Sequence, residues 1–107
     1  MKKGIIIRSQ FTGYHRYLNA PEEVEFLKNW HRHIFYIEID LNISDTRQVE
    51  FFMFKKELDE YLKGYEGKKF EKGCEDIAKE IADNFKKYSV RKVTVSEDDE
   101  NSGYVIN

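Results

Sequence analysis

The chain has 107 residues, with 18 Lys+Arg against 20 Asp+Glu, a net charge of -2, 36% charged and 15% aromatic residues, and one cysteine. That balance excludes a phosphate-backbone binder, which needs a clear basic excess, and the aromatic content excludes a disordered chain, which lacks groups to bury. One thiol excludes an internal disulfide framework, and no apolar run approaches the ~20 residues of a membrane span, so the expectation is one cytoplasmic domain over residues 1–107 that binds neither DNA, RNA nor membrane.

In chain order, the start Met1-Lys2-Lys3 is basic, but the apolar run Ile5-Ile6-Ile7 after it is too short for a signal peptide. Residues Ile5 to Thr12 read as a first strand with Ile5, Ile7, Ser9 and Phe11 on one side. Gly13 to Trp30 is a long connection holding the only proline, and Pro21 to Lys28 within it predicts a short helix with Pro at its first position. His31 to Ile43 alternates most clearly: His31, His33, Phe35, Ile37, Ile39, Leu41 and Ile43 take one face, and Arg32, Tyr36, Glu38, Asp40 and Asn42 the other. A period of two over that length marks a long strand with one buried face. Ser44-Asp45-Thr46 offers turn and cap residues. A first helix then runs to about Leu62 on Phe51, Phe54, Leu58, Tyr61 and Leu62, closed by Gly64 and Gly67. A second, about Cys74 to Tyr88, carries Cys74, Ile77, Ile81, Phe85 and Tyr88. Ser89 to Glu97 predicts a third strand with Arg91, Val93, Val95 and Glu97 on the core face, and Asp98 to Gly103 turns into a short fourth, Tyr104 to Ile106. The order ββααββ implies an α+β fold, an antiparallel four-stranded sheet with two helices on one face.

If the first two strands pair, the end of one lies beside the start of the next. His15 then sits near His31 and His33, which share a face because side chains two apart on a strand point the same way. Three neutral imidazoles with one open position is the donor set of a catalytic-type zinc site. Histidines at a strand end are also commonly solvated or hydrogen-bonded for structure alone.

The run Phe11-Thr12-Gly13-Tyr14-His15-Arg16 followed by His31-Arg32-His33 resembles the zinc-binding pattern of the 6-pyruvoyl- and 6-carboxy-tetrahydropterin synthases. The likeness continues through Val49-Glu50-Phe51, Glu75-Asp76-Ile77-Ala78 and Val93-Thr94-Val95-Ser96-Glu97, and covers nearly the whole chain. It implies the tunnelling fold, in which subunits close into an oligomeric barrel. It also implies His15, His31 and His33 as metal ligands and Glu97 as the carboxylate that grips a planar heterocycle through two N–H donors. Two features of that family are missing. The stretch Phe26-Leu27-Lys28-Asn29-Trp30 has no cysteine where the synthases carry their nucleophile, and Leu62 to Gly67 has no Asp-His pair. Cys74 falls on the apolar stripe of the second helix, which reads as core packing. Proton transfers of pterin synthesis therefore lack an obvious agent, and the reading leans away from an enzyme.

Arg16, Arg32, Arg47 and Arg91 offer planar forks suited to phosphate, and Tyr14 and Trp30 offer stacking faces. Each arginine equally suits a surface ion pair. The block from His15 to Val24, followed by Trp30 to His33, is also similar to the first-described type of phage anti-Thoeris sponge proteins. That likeness implies non-catalytic sequestration of a cyclic nucleotide immune signal, such as a cyclic ADP-ribose isomer or a cyclic oligonucleotide, in host cytoplasm. Such a sponge requires no cofactor; the alternative, a pterin-synthase-like enzyme, requires zinc. An open sheet with two edge strands invites pairing, so a homo-oligomer (dimer, trimer or hexamer) is expected.

Overall fold

The computed structural model describes residues Met1–Asn107. Strands β1 (Lys3–His15) and β2 (His31–Ile43) pair antiparallel over their full lengths, from Lys3↔Ile43 at one end to His15↔His31 at the other. β1 thus runs three residues beyond the predicted end, because both of its flanks are hydrogen-bonded there. On the side away from β2, Gly67 N–H donates to Thr12 O and Tyr14 N–H to Lys68 O. The second of these contacts leads into β3 (Lys69–Phe70), which lies parallel to β1.

The sheet is therefore mixed and five-stranded, in the order β3-β1-β2-β4-β5, not antiparallel and four-stranded. A two-residue strand has no period to read, which is why the sequence pattern passed over it. The connection before β2 contains a 3₁₀ helix (Glu22–Lys28) broken at Val24 and not an α-helix.

Helix α1 (Phe51–Leu62) starts where Glu50 caps it, its carboxylate accepting Met53 N–H at 2.7 Å. The preceding Ser44–Gln48 segment is a turn in which Gln48 Oε1 accepts the N–H groups of Ser44 and Asp45. Helix α2 (Cys74–Asn84) ends four residues before the expected Tyr88. A tight turn follows it, with Tyr88 N–H on Phe85 O, and returns the chain to β4 (Val90–Glu97).

β4 pairs β2 with a bulge between Asp40 and Leu41: Leu41 opposes Val90 and Asp40 opposes Lys92. Arg91 is the extra residue. Val90 is consequently buried, and Arg91 is exposed and reaches Asp40 at 2.7 Å, not the core face its alternation predicts. β5 (Asn101–Ile106) is longer than expected and closes a hairpin on β4 through Asp98 and Asp99, both at positive φ. Two consecutive left-handed residues suit the right-handed twist of a hairpin, and Asp tolerates that region better than most side chains.

Both helices cover one sheet face. Phe35, Ile37, Ile39, Leu41, Val93 and Val95 from the sheet meet Phe54, Leu58, Leu62, Ile77, Ile81 and Phe85 from the helices and the turn after α2, all with at most 2% exposure. No helix is long and apolar enough to cross a membrane.

Candidate metal centre and cleft

The β1–β2 register places His15 directly opposite His31 and Gly13 opposite His33. All three imidazoles project from the face that carries the core, at the end of the sheet beyond Phe35. Their ring centroids lie 4.5, 4.9 and 5.1 Å apart, and one ligating nitrogen from each lies within 4.8 Å of the others. The expected cluster is thus assembled.

Each ring is oriented by an oxygen on its Nδ1. His15 Nδ1 faces Lys72 O at 3.0 Å, His31 Nδ1 faces Asn29 O at 2.8 Å, and His33 Nδ1 faces Asp98 Oδ2 at 2.7 Å. Two backbone carbonyls and a carboxylate can only accept, so every Nδ1 carries its proton and every neutral ring presents a bare Nε2. Histidine ligands of metals are held in this way, the outer acceptor fixing tautomer and aim. The donor set fits zinc: three imidazole nitrogens, one from each ring, on rings whose other nitrogen is held by an acceptor.

Glu97 ends β4 beside these rings, with Oε1 3.1 Å from Nε2 of His15 and Oε2 3.7 Å from Nε2 of His33. Burial favours the neutral form of His15, but the Glu97 hydrogen bond and charge, with the Lys72 carbonyl, outweigh it and raise its pKa. The same His15 hydrogen bond holds the Glu97 carboxyl below the usual carboxylate range despite burial. Asp98 is lowered too, chiefly by His33 and then by Ile34 N–H, which it accepts at 2.8 Å. Adjacent acids therefore face the two nitrogens of one imidazole, Asp98 at Nδ1 and Glu97 at Nε2.

A cleft of about 700 Å³ opens beside the cluster, bounded by His15, His31, Glu97 and the start of α2. Four carboxylates (Glu71, Glu75, Asp76, Glu97) and two cations (Arg16, Lys72) line it. Both cations are already paired, Arg16 with Glu71 at 2.6 Å and Lys72 with Glu80 at 2.6 Å. Arg16 also lies 4.3 Å from the ring centroid of Trp30, forming a stacked rim. Cys74 lines the cleft, yet burial and then the neighbouring Glu97 and Glu75 charges push its thiol up to about 12, so it is protonated at neutral pH and a poor nucleophile.

The remaining residues expected near a ligand stand elsewhere on the chain. Tyr14 and Arg32 oppose each other on the other sheet face. Arg91 pairs with Asp40, nine residues along β2 from His31, and Arg47 follows the far end of β2, about 40 Å from His31 at ~3.3 Å per residue. Conversely, the Lys72 and Asn29 carbonyls and Asp98 carry no motif; the one signal at Asp98 is its place at the start of the polar turn that runs to Gly103.

No family model and no curated protein matches this sequence. Its fold matches the structure of Caenorhabditis elegans 6-pyruvoyl tetrahydropterin synthase with a TM-score of 0.79, over 100% of this chain and 96% of that one, at 14% sequence identity. The chain has the fold of that synthase. At this identity the likeness concerns architecture alone.

Proposed function

We propose that the protein binds zinc through Nε2 of His15, His31 and His33, and holds a small N–H-rich heterocycle of the pterin kind in the adjacent cleft. The observation that carries this reading is the set of three Nδ1–H hydrogen bonds, which leave Nε2 as the ligand atom of each ring, together with the approach of one ligating nitrogen from each ring to within 4.8 Å of the others. Zinc bound there would supply a Lewis acid that polarises a substituent oxygen. The chain's own residues do the rest. Glu97 accepts ring N–H donors, and the net acidic lining disfavours polyphosphates while suiting a neutral or cationic ring. With the thiol held protonated, no residue of the cleft is a ready nucleophile.

Metal analysis of purified protein after zinc loading and dialysis tests the reading. About one zinc per chain, lost in His31→Ala, is expected; metal-free wild type overturns it. A neopterin-induced rise in melting temperature that Glu97→Ala removes would place the ring beside that carboxylate.

A second reading, sequestration of a cyclic ADP-ribose isomer, is favoured by one feature, the Arg16–Trp30 stack at the cleft rim, a platform for a nucleobase. Incubation with the signal, followed by heat release, distinguishes the two. Intact signal recovered in stoichiometric amount supports sequestration. For assembly, β5 leaves one side unpaired and exposes Tyr104 and Ile106, which supports a homo-oligomer; light scattering after gel filtration reads its size.

A further inference from the structure

Glu97 stands within hydrogen-bonding distance of the imidazole cluster. Its two oxygens are divided between two rings, 3.1 Å from His15 Nε2 and 3.7 Å from His33 Nε2. Those are the nitrogens that the Lys72 and Asp98 contacts on Nδ1 turn toward Glu97, and a metal there takes the place of the proton that His15 and Glu97 share. Around a zinc ion with ligand bonds of about 2.0–2.2 Å at tetrahedral angles, neighbouring donor atoms lie about 3.3–3.5 Å apart. The two Glu97 distances bracket that spacing.

The backbone holds the carboxylate in place. Phe35 opposes Glu97 in the β2–β4 ladder, and the residue after it is pinned by three bonds: Asp98 N–H to Ile34 O, and its carboxylate to Ile34 N–H and His33 Nδ1. Glu97 therefore has its Cα fixed beside the cluster and only its own torsions to move.

We propose that Glu97 is the fourth protein ligand of the metal, so that the centre is closed in the ligand-free protein instead of holding an open position. The proposal rests on the zinc reading above and goes beyond it. A small molecule then reaches the metal only by displacing Glu97. The displaced carboxylate, tethered within one side-chain length, becomes free to accept N–H donors from the incoming ring. Opening the centre and recognising the ring are the same motion, and an anion without N–H donors gains only half of the exchange.

Cobalt(II) in place of zinc, titrated with azide, reads the fourth position. In wild-type protein, millimolar azide leaves the visible cobalt spectrum unchanged. In Glu97→Gln the same azide shifts it, and zinc affinity, measured by competition with a chromophoric chelator, falls roughly tenfold or more. The melting curve of the metal-free variant checks that it is folded, and the wild-type azide titration stands without it. A wild-type spectrum that shifts with azide as readily as that of Glu97→Gln overturns the fourth ligand and leaves the three-histidine site intact. Failure of wild type to take up either metal overturns both.

Discussion

Replacing Asp98 by Asn separates the metal affinity of the site from the stability of the fold. Asp98 accepts His33 Nδ1–H at 2.7 Å and Ile34 N–H at 2.8 Å, from a backbone at φ 52°. Asn tolerates the same left-handed backbone and keeps one oxygen for Ile34. Its amide N–H₂ then faces His33 and donates to Nδ1, which moves the ring proton to Nε2, the atom a metal needs bare. Loss of such an outer-shell acceptor costs about 10–100-fold in metal affinity, or ~1.4–2.7 kcal/mol. The fold loses less. The Asp98 side chain is 44% exposed, so its pairing with His33 is screened by solvent and contributes about 0–1 kcal/mol. Chelator competition gives the affinity, and urea melts of metal-free wild type and Asp98→Asn give the stability. Unchanged affinity, or a loss of affinity matched by an equal loss of metal-free stability, refutes the reasoning.

Metal affinity should fall on acidification from above the ordinary histidine value of 6.5, because His15 must release a proton that Glu97 holds; an acid limb starting below that value counts against the His15–Glu97 pair. The metal-free fold should behave oppositely. A raised folded pKa contributes stability that is complete below the unfolded value of 6.5 and fades as pH climbs through the folded one, which urea melts across that range would register. Arg91→Ala leaves Asp40 buried with neither oxygen paired, since Oδ1 already lacks a partner. With Arg91 half exposed, the cost lies toward the low end of ~1–3 kcal/mol, and Asp40→Asn in the same background should recover part of it; an unchanged urea midpoint in Arg91→Ala argues against the pair. Phe35→Ala removes a fully buried ring that stacks on Phe11 at 5.0 Å and meets His15 edge-on at 5.2 Å. A loss of ~3–5 kcal/mol by urea unfolding is expected, and less than ~1 kcal/mol would show that the ring is not close-packed.

Where alternation was long, the sequence carried the structure. His31 to Ile43 keeps an apolar residue at every odd position from Phe35 to Ile43, and β2 spans His31–Ile43. The helices were legible from their apolar stripes, but α2 stops at Asn84 because Phe85 and Tyr88 pack on Phe54 from a turn, at 5.4 and 4.9 Å. Apolar spacing cannot distinguish that turn from a further helical one. Arg91 failed for a related reason: a single bulge residue shifts the phase of everything on one side of it. At the site, the three clustered histidines were readable because strand pairing alone brings them together. The ion pairs of the arginines were not, because their partners (Glu71 for Arg16, Asp40 for Arg91) lie tens of residues away and leave no local trace.

Gly13 shows how the unread part of the fold completes the readable part. It lies on the face of the histidines, opposite His33 and between Phe11 and His15. A Cβ there would stand 2.9 Å from Cε1 and 3.0 Å from Cζ of Phe70. The missing side chain is the space into which Phe70 folds, 6.1 Å from the His15 ring and 5.5 Å from Phe35. Phe70 is the second residue of β3, and two residues later Lys72 presents the carbonyl that orients His15. A strand too short to recognise, seated by a glycine, thus delivers one of the three acceptors that aim the cluster. The other two come from the connection before β2 and the hairpin after β4. The three histidines belong to the long β1–β2 ladder, and the groups that aim them belong to three separate loops. Substitutions in those loops should therefore alter metal affinity while leaving the sheet intact.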